Sequence, residues 1–383
     1  MKLLIISHSC VTPINQQFYA ELERQTNWLI TIVAPNNWKT EYGKVLSLEP
    51  WSDYQGKLVG IPVWLSGNVP LHIYRSKFIR LLKELKPDFI YVHQEPYALQ
   101  TAQVYLANSF SINKPIAFFT WQNIYKRYPV VFRQIEKLVY QKSSIAFTGS
   151  RSAEEVLRKK GFLGNCIMLP SGIDTDIYTN SHQAQTLKET LQKNQSEVII
   201  GYLGRIVIEK GLKTLLQALH KIKELPWQLV MVGTGEYETE FKKIAKEFQI
   251  DHKIIYLGYI PHTEAPLYLS AFDLLVIPSE TQPNWKEQFG RVIIESMACS
   301  TPVIGSNSGE IPYLIKSTGG GLTFPEAQPE ALAQQLTKLI EDRELRDNLA
   351  QQGHRTVLQN YNNSSLVRDF ATVIEKAVKA DRK

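Results

Sequence analysis

Apolar residues follow two rhythms along this chain, and the two trade places almost throughout. Short unbroken aliphatic runs predict strands at residues 3–7, 29–34, 89–93, 116–120, 145–148 and 166–169. A second series follows at 198–203, 228–232, 253–257, 273–277 and 302–305. Runs of this kind suit parallel sheets with helices on both faces. Between them the spacing changes to that of helices. Phe78, Leu81, Leu82 and Leu85 line one face of 76–86, and Leu212, Leu215, Leu216, Leu219 and Ile222 line one face of 212–222. Ser152 and Glu155 read as a capping box, with Gly161 as the stop of that helix. The alternation predicts an α/β protein with doubly wound sheets.

The rhythm breaks once, after Pro170-Ser171-Gly172-Ile173-Asp174. A polar stretch without strand signals follows, and a fresh apolar strand begins at Val198. This predicts a first Rossmann-like domain over 1–175, a linker over 176–197, a second Rossmann-like domain over 198–360 and a closing helix over 361–383. In that helix Leu366, Phe370, Val373, Ile374 and Val378 form the apolar stripe. Two such halves are expected to face each other across a cleft, a common place for a ligand.

Composition narrows the class. With 44% hydrophobic and 21% charged residues in 383, the chain is too apolar to be mainly disordered. No apolar run approaches the ~18 residues a spanning helix needs. The start carries four successive apolar residues, Leu3 to Ile6, where a secretory signal needs roughly 7 to 15, so a cytoplasmic protein is expected. Cys10, Cys166 and Cys299 have no paired spacing, which argues against a disulfide framework or a zinc site. Charge is uneven: residues 1–175 hold 20 Lys/Arg and 12 Asp/Glu, a balance of +8, while the rest hold 23 and 25, a balance of −2. The basic half fits an anionic membrane surface or a phosphorylated acceptor, and equally a solvated basic face. Lys77, Arg80, Lys83 and Lys86 recur every third residue beside an apolar face, with Lys126, Arg127 and Arg133 as further cations for anionic lipid. No nucleic-acid module is present in the sequence, so no such partner is expected.

The chemistry-bearing motifs gather in the second half. In Gly204-Arg205-Ile206-Val207-Ile208-Glu209-Lys210-Gly211 a strand ends at a glycine, and an arginine and a lysine precede the next helix. A planar fork, a point charge and free helix N–H groups together can hold a diphosphate; both cations can also be plain surface residues. Gly233-Thr234-Gly235 is a turn at a strand's carboxyl end, where open α/β sheets bind ligands, but it lacks the third glycine of a dinucleotide fingerprint. The run Glu287-Gln288-Phe289-Gly290-Arg291-Val292-Ile293-Ile294-Glu295 opens a buried helix near Gly290. Glu295 would lie about 7–8 Å along the axis from Gly290, so an anion site sits between two carboxylates. Carboxylates accept hydrogen bonds from hydroxyl pairs, and a nucleotide sugar offers hydroxyls, a diphosphate and more hydroxyls in that order. Spacing alone equally allows two exposed glutamates.

The ordered set Gly-Arg-x-x-x-Glu-Lys-Gly, Gly-x-Gly and Glu-x7-Glu strongly resembles the retaining family-4 glycosyltransferases of the GT-B fold. Pro170 to Asp174 resembles that family's hinge segment, and Ala298-Cys299-Ser300-Thr301-Pro302 and Ser308-Gly309-Glu310-Ile311-Pro312 extend the likeness. The resemblance implies two Rossmann-like domains, with the last helix free to return to the first. It implies transfer of a sugar from a UDP- or GDP-linked donor, as co-substrate, to a glycolipid, lipid-linked or polysaccharide-precursor acceptor, with retention and without a metal or cofactor. A peripheral place at a membrane is compatible with this. Arg205 and Lys210 would neutralise the diphosphate and Glu287 would bind the transferred sugar, making these the catalytic set. Gly204, Phe289, Gly290, Arg291 and Val292 would offer backbone to the donor, Glu295 would bind ribose, and Gly233, Gly235, Tyr259 and Ile260 would lie near the base. A phosphorylase or epimerase on the same fold, or an inactive sugar-nucleotide binder, are the competing readings.

The first half departs from the family. The loop Ser7 to Asn15 has no glycine where relatives carry a pair, and Trp121-Gln122-Asn123 stands where a histidine is usual. His8, His93, Glu95, Gln122 and Asn123 are the acceptor-side candidates, each also readable as a structural residue. Asp174-Thr175-Asp176 imitates a metal-binding Asp-x-Asp motif, but its place at the hinge argues against a metal.

Overall fold

The computed structural model describes residues 1–40, 43–175, 177, 178, 183–192, 194 and 196–381. Two compact units are present: Met1–Pro170 with Asn363–Lys383, and Ser171–Asn362.

The first unit is built on seven parallel strands: β1 (Lys2–Ile6), β2 (Leu29–Pro35), β3 (Lys57–Ile61), β4 (Phe89–Val92), β5 (Ile116–Thr120), β6 (Ile145–Thr148) and β7 (Asn165–Met168). Their order is β7-β6-β5-β4-β1-β2-β3. Every residue of β4, β5 and β6 is buried, as expected when helices cover both faces. The edge strand β3 escapes a reading for apolar runs because Lys57 and Gly60 face solvent. Two antiparallel pairs, Asn37–Lys39 with Val45–Ser47 and Val63–Trp64 with Ile73–Tyr74, extend the connections around it.

The second unit has six parallel strands: β8 (Val198–Leu203), β9 (Trp227–Val232), β10 (Ile254–Gly258), β11 (Leu274–Ile277), β12 (Val303–Ser306) and β13 (Gly321–Phe324). The order β10-β9-β8-β11-β12-β13 is that of a doubly wound dinucleotide-type sheet. Its core joins Ile200, Tyr202, Leu215, Leu216, Trp227 and Leu229 with Leu332, Leu336 and Leu339 of the helix Pro329–Glu341.

The last helix, Asn363–Asp381, belongs to the first unit. Leu366, Phe370, Ile374 and Val378 recur every fourth residue and enter the same core as Leu3, Ile5, Tyr91 and Phe147. The Phe370 ring lies 5.0 Å from Phe147, 5.1 Å from Tyr91 and 5.6 Å from Phe18 between centroids.

Two expectations change. The stretch 176–197 contains the helix Ala184–Leu191, which buries Ala184 and Leu191 and packs on the helix Ala265–Ala271 of the second unit. Lys188 Nζ lies 2.5 Å from Asp273 Oδ1, an ion pair that a plain linker would lack. Asp176 lies outside the described residues. The helix after β6 begins two residues earlier than the capping box suggests: it spans Arg151–Lys159, and Ser150 Oγ accepts a hydrogen bond from the Ala153 amide. Ser152 sits inside the first turn and is buried. Gly161, in a left-handed conformation at φ 94°, follows the helix.

The cap gives a stability test. Ser150→Ala leaves the Ala153 amide without its acceptor and should lower the unfolding free energy by about 1 kcal/mol, read as a lower denaturant midpoint with an unchanged slope. Ser150→Asp should retain most of it. Equal midpoints for wild type and alanine variant would remove the cap from the account.

Candidate functional site

In a sheet of this order, chain connections leave the central pair of strands in opposite directions, and a crevice opens at their carboxyl ends. In the second unit that pair is β8 and β11. The turns after β8, β9 and β11 carry the motifs singled out above.

These turns are pressed together by backbone. Gly211 has φ 64°, and a Cβ there would overlap the Pro278 carbonyl oxygen. Its lack of a side chain brings the segment after β8 onto the segment after β11. Gly233, with φ 132°, meets the Gly204 carbonyl in the same way, and its amide donates to Gly258 O at 2.7 Å. Neither glycine can take a side chain without moving its neighbour.

The close approach pairs residues far apart in sequence. Lys210 Nζ lies 2.6 Å from Glu287 Oε2, and both side chains are largely withdrawn from water. Ser279 Oγ donates to the same carboxylate oxygen at 3.0 Å. The Lys210 ammonium also lies 4.9 Å from the centre of the Trp285 ring, a cation–π contact. The Glu287 carbonyl accepts from the Glu310 amide at 3.2 Å, which fixes the loop before the next helix. That helix spans Arg291–Ala298, and Gly290 precedes it with φ 76°. Phe289 and Gly290 are buried at its start, while Val292 is only half-buried, so Ile293, Ile294 and Met297 form its inner face.

Glu295 sits one turn into this helix and is 4% exposed. Its Oε1 lies 2.8 Å from Arg291 Nε and 3.7 Å from His262 Nε2. Burial pushes its carboxyl above the usual range, opposed by the charge of Arg291. Tyr178 OH bonds to His262 Nδ1 at 2.8 Å beside it. Arg291 therefore engages Glu295 through its side chain, beyond the backbone role expected of it.

Other candidates stand apart. Arg205 is exposed, and its Nη2 lies 3.3 Å from Glu209 Oε1 rather than beside Lys210. Tyr259 is 77% exposed and Ile260 half-buried. Gly235 packs beneath the Ile206 carbonyl. Sequence reasoning missed Ser279, Trp285, Tyr178 and His262. A serine two residues after β11, at the switch point, was the readable signal among them.

The first unit repeats the plan with different chemistry. His8 follows β1, and His93 and Glu95 follow β4, so all three lie beyond the central strand pair of that sheet. His8 packs on Trp38 and His72 at 4.8 and 5.6 Å between centroids, and burial pushes it down to about 3. His93 Nδ1 bonds to Tyr19 OH at 2.8 Å, and burial lowers it to about 4. Glu95 accepts from Thr120 Oγ1 at 2.6 Å and the Trp121 amide at 2.8 Å, and burial raises it to about 7. Gln122 Oε1 accepts from Lys160 Nζ at 3.2 Å, and Asn123 is buried. The glycine-free loop after β1 forms two short 3-10 turns, Ser9–Val11 and Pro13–Gln16. Gln16 anchors them by donating to Cys10 O and Glu49 O.

Residues 183–356 match the family described as glycosyl transferases group 1. Among curated proteins, the chain is 27% identical over 211 residues to N-acetyl-alpha-D-glucosaminyl L-malate synthase of Bacillus anthracis, covering 55% of this chain and 53% of that protein. It is 26% identical over 205 residues to a GDP-mannose-dependent alpha-(1-6)-phosphatidylinositol monomannoside mannosyltransferase of Mycobacterium tuberculosis, covering 52% and 53%. The chain thus spans about half the length of these relatives. Among solved structures, Anabaena Alr3699/HepE in complex with UDP superposes with a TM-score of 0.74 at 17% identity, over 98% of this chain and 100% of that one. This likeness establishes a shared GT-B architecture. Residues 183–356, which hold the Lys210–Glu287 pair and Glu295, are thus similar to the glycosyl transferases group 1.

Proposed function

We propose that this chain is a retaining, metal-independent glycosyltransferase. It takes a sugar from a UDP- or GDP-linked donor and passes it to a glycolipid, lipid-linked or polysaccharide-precursor acceptor. The observation that carries this reading is the 2.6 Å Lys210–Glu287 pair at the amino end of the helix Arg291–Ala298, with Glu295 one turn further on. The names of two relatives support the donor classes: one solved neighbour is complexed with UDP, and one relative is GDP-mannose-dependent. That relative's phosphatidylinositol mannoside acceptor supports a lipid-linked acceptor here.

In this reading, negative charge grows on the departing nucleoside diphosphate as the sugar's C1–O bond breaks. Lys210 and the free N–H groups of the helix start stabilise that charge where it develops. Arg205 would reach the diphosphate by leaving Glu209. Glu287 accepts hydrogen bonds from hydroxyls of the transferred sugar, and Glu295 from those of the ribose. The acceptor oxygen attacks C1 from the face that the diphosphate leaves, and its proton passes to a donor phosphate oxygen. The histidines His8 and His93 are held neutral near pH 7 by burial, so neither adds positive charge at the acceptor side.

Two measurements test the reading. Lys210→Ala and Glu287→Ala should each lower kcat by at least about a hundredfold, the effect of losing one preorganised group at a developing charge. Far-ultraviolet circular dichroism should match wild type. Wild-type turnover in either folded variant would remove the site. Independently, UDP or GDP at a hundred times its Kd should stabilise the protein by about 2.7 kcal/mol, seen as a raised melting temperature. A melting temperature unmoved by UDP, GDP and ADP would remove the donor assignment.

A further inference from the structure

A group of the first unit's cations gathers at one place. The helices Val130–Lys142 and Arg151–Lys159 bound a cavity of about 660 Å³. Its floor is neutral: Lys160 Nζ lies 2.6 Å from Glu136 Oε1, with both side chains under a tenth exposed, and over the Tyr128 ring at 4.1 Å. Its lining adds Lys126, Arg127, Arg133, Lys137 and Lys159. Among the described residues none of these five makes an ion pair, and Glu136, the one carboxylate in the lining, is taken by Lys160. The rim therefore carries five uncompensated cations.

Exposed apolar side chains, Leu163 and Tyr125, line the same cavity, and Val130 and Val131 open the helix that bounds it. Leu163 is 93% exposed between Gly161 and Gly164, and Tyr125, Val130 and Val131 are each more than half exposed. Val130, Arg133 and Lys137 follow at the three- and four-residue spacings of one helix face. Aliphatic tips surrounded by unpaired cations suit the boundary between lipid headgroups and acyl chains. A soluble phosphate compound has no use for the aliphatic tips. The basic stripe expected on 77–86 is weaker. Its helix covers only Phe78–Leu85, and Arg80 is spent on Glu84 at 2.7 Å.

We propose that this rim is a docking surface for an anionic phospholipid bilayer. One phosphate headgroup enters the cavity, and Leu163, Val130, Val131 and Tyr125 dip below the headgroup layer. The proposal is independent of the donor-site reading, because vesicle binding needs no sugar transfer.

Vesicle flotation of the full chain at low ionic strength tests it. Wild type should float with vesicles of equal parts phosphatidylcholine and phosphatidylglycerol and stay behind with phosphatidylcholine alone. The double variant Arg133→Gln/Lys137→Gln should bind about thirtyfold more weakly, from the loss of two surface cations. Leu163→Asp, at a position too exposed to matter for folding, should weaken binding at least about tenfold. Lys77→Gln/Lys83→Gln should float like wild type. The proposal falls if wild type fails to float with anionic vesicles, floats equally with neutral ones, or loses binding only in the 77/83 variant. It falls also if Leu163→Asp floats like wild type, which would leave a phosphate contact without a bilayer.

Discussion

A carboxylate drawn almost out of water must find a positive partner, and the second unit is arranged around that requirement at Glu287. The partner, Lys210, lies 77 residues earlier in sequence and 2.6 Å away in space. To bring it there the segments after β8 and β11 must touch, and Gly211 permits the contact by presenting no side chain to the Pro278 carbonyl. Ser279 completes the carboxylate's shell, and the Glu310 amide fixes its backbone. The ammonium is therefore never left bare in the free protein. Under the proposed donor binding, an arriving diphosphate would exchange one negative partner for another, so desolvation of the lysine is already met before binding.

The first six strands of each sheet follow one order, so the first and fourth strands flank the switch point in both, yet the two ends differ in charge. In the second unit the end is ionic, with Lys210, Glu287, Arg291 and Glu295 in two pairs. In the first unit burial drives His8 and His93 toward the neutral form and lifts Glu95 to about 7. Hydroxyls and an amide, from Thr120, Tyr19 and Trp121, dominate the bonding there. Five cations of residues 1–175, Lys126, Arg127, Arg133, Lys137 and Lys159, gather instead at the cavity bounded by the helices Val130–Lys142 and Arg151–Lys159. One unit thus separates two kinds of surface, a weakly charged strand end and a cationic helical flank.

Much of this was readable from residues alone, for a physical reason. Strands buried on both faces keep unbroken aliphatic runs, so β1, β2, β4 to β6, β8 and β9 were placed within a residue or so. Two half-wetted edge strands lose that mark, since β3 carries Lys57 and Gly60 and β13 begins at Gly321, while the edges β7 and β10 were placed within a residue. The helix Ala184–Leu191 buries only its two ends, which a polar composition conceals. Ser150 and Ser152 both precede an amphipathic run, and only the backbone decides which hydroxyl meets a free amide. The motif around Glu287 was visible by its spacing, but its bond to Lys210 depends on turn geometry that spacing does not encode. Arg205, adjacent in the same motif, points to Glu209 for that reason.

The return of Asn363–Asp381 to the first unit has a bearing on biosynthesis. A ribosome delivers residues in order, so the entire second unit is synthesised before Phe370 exists. Until then the rings of Phe18, Tyr91 and Phe147 lack the aromatic neighbour that covers them. The continuous unit can finish folding first, while the discontinuous one waits for its last helix with part of its interior open to water. Nascent chains are thus most vulnerable to aggregation through the first unit until the helix Asn363–Asp381 has been made.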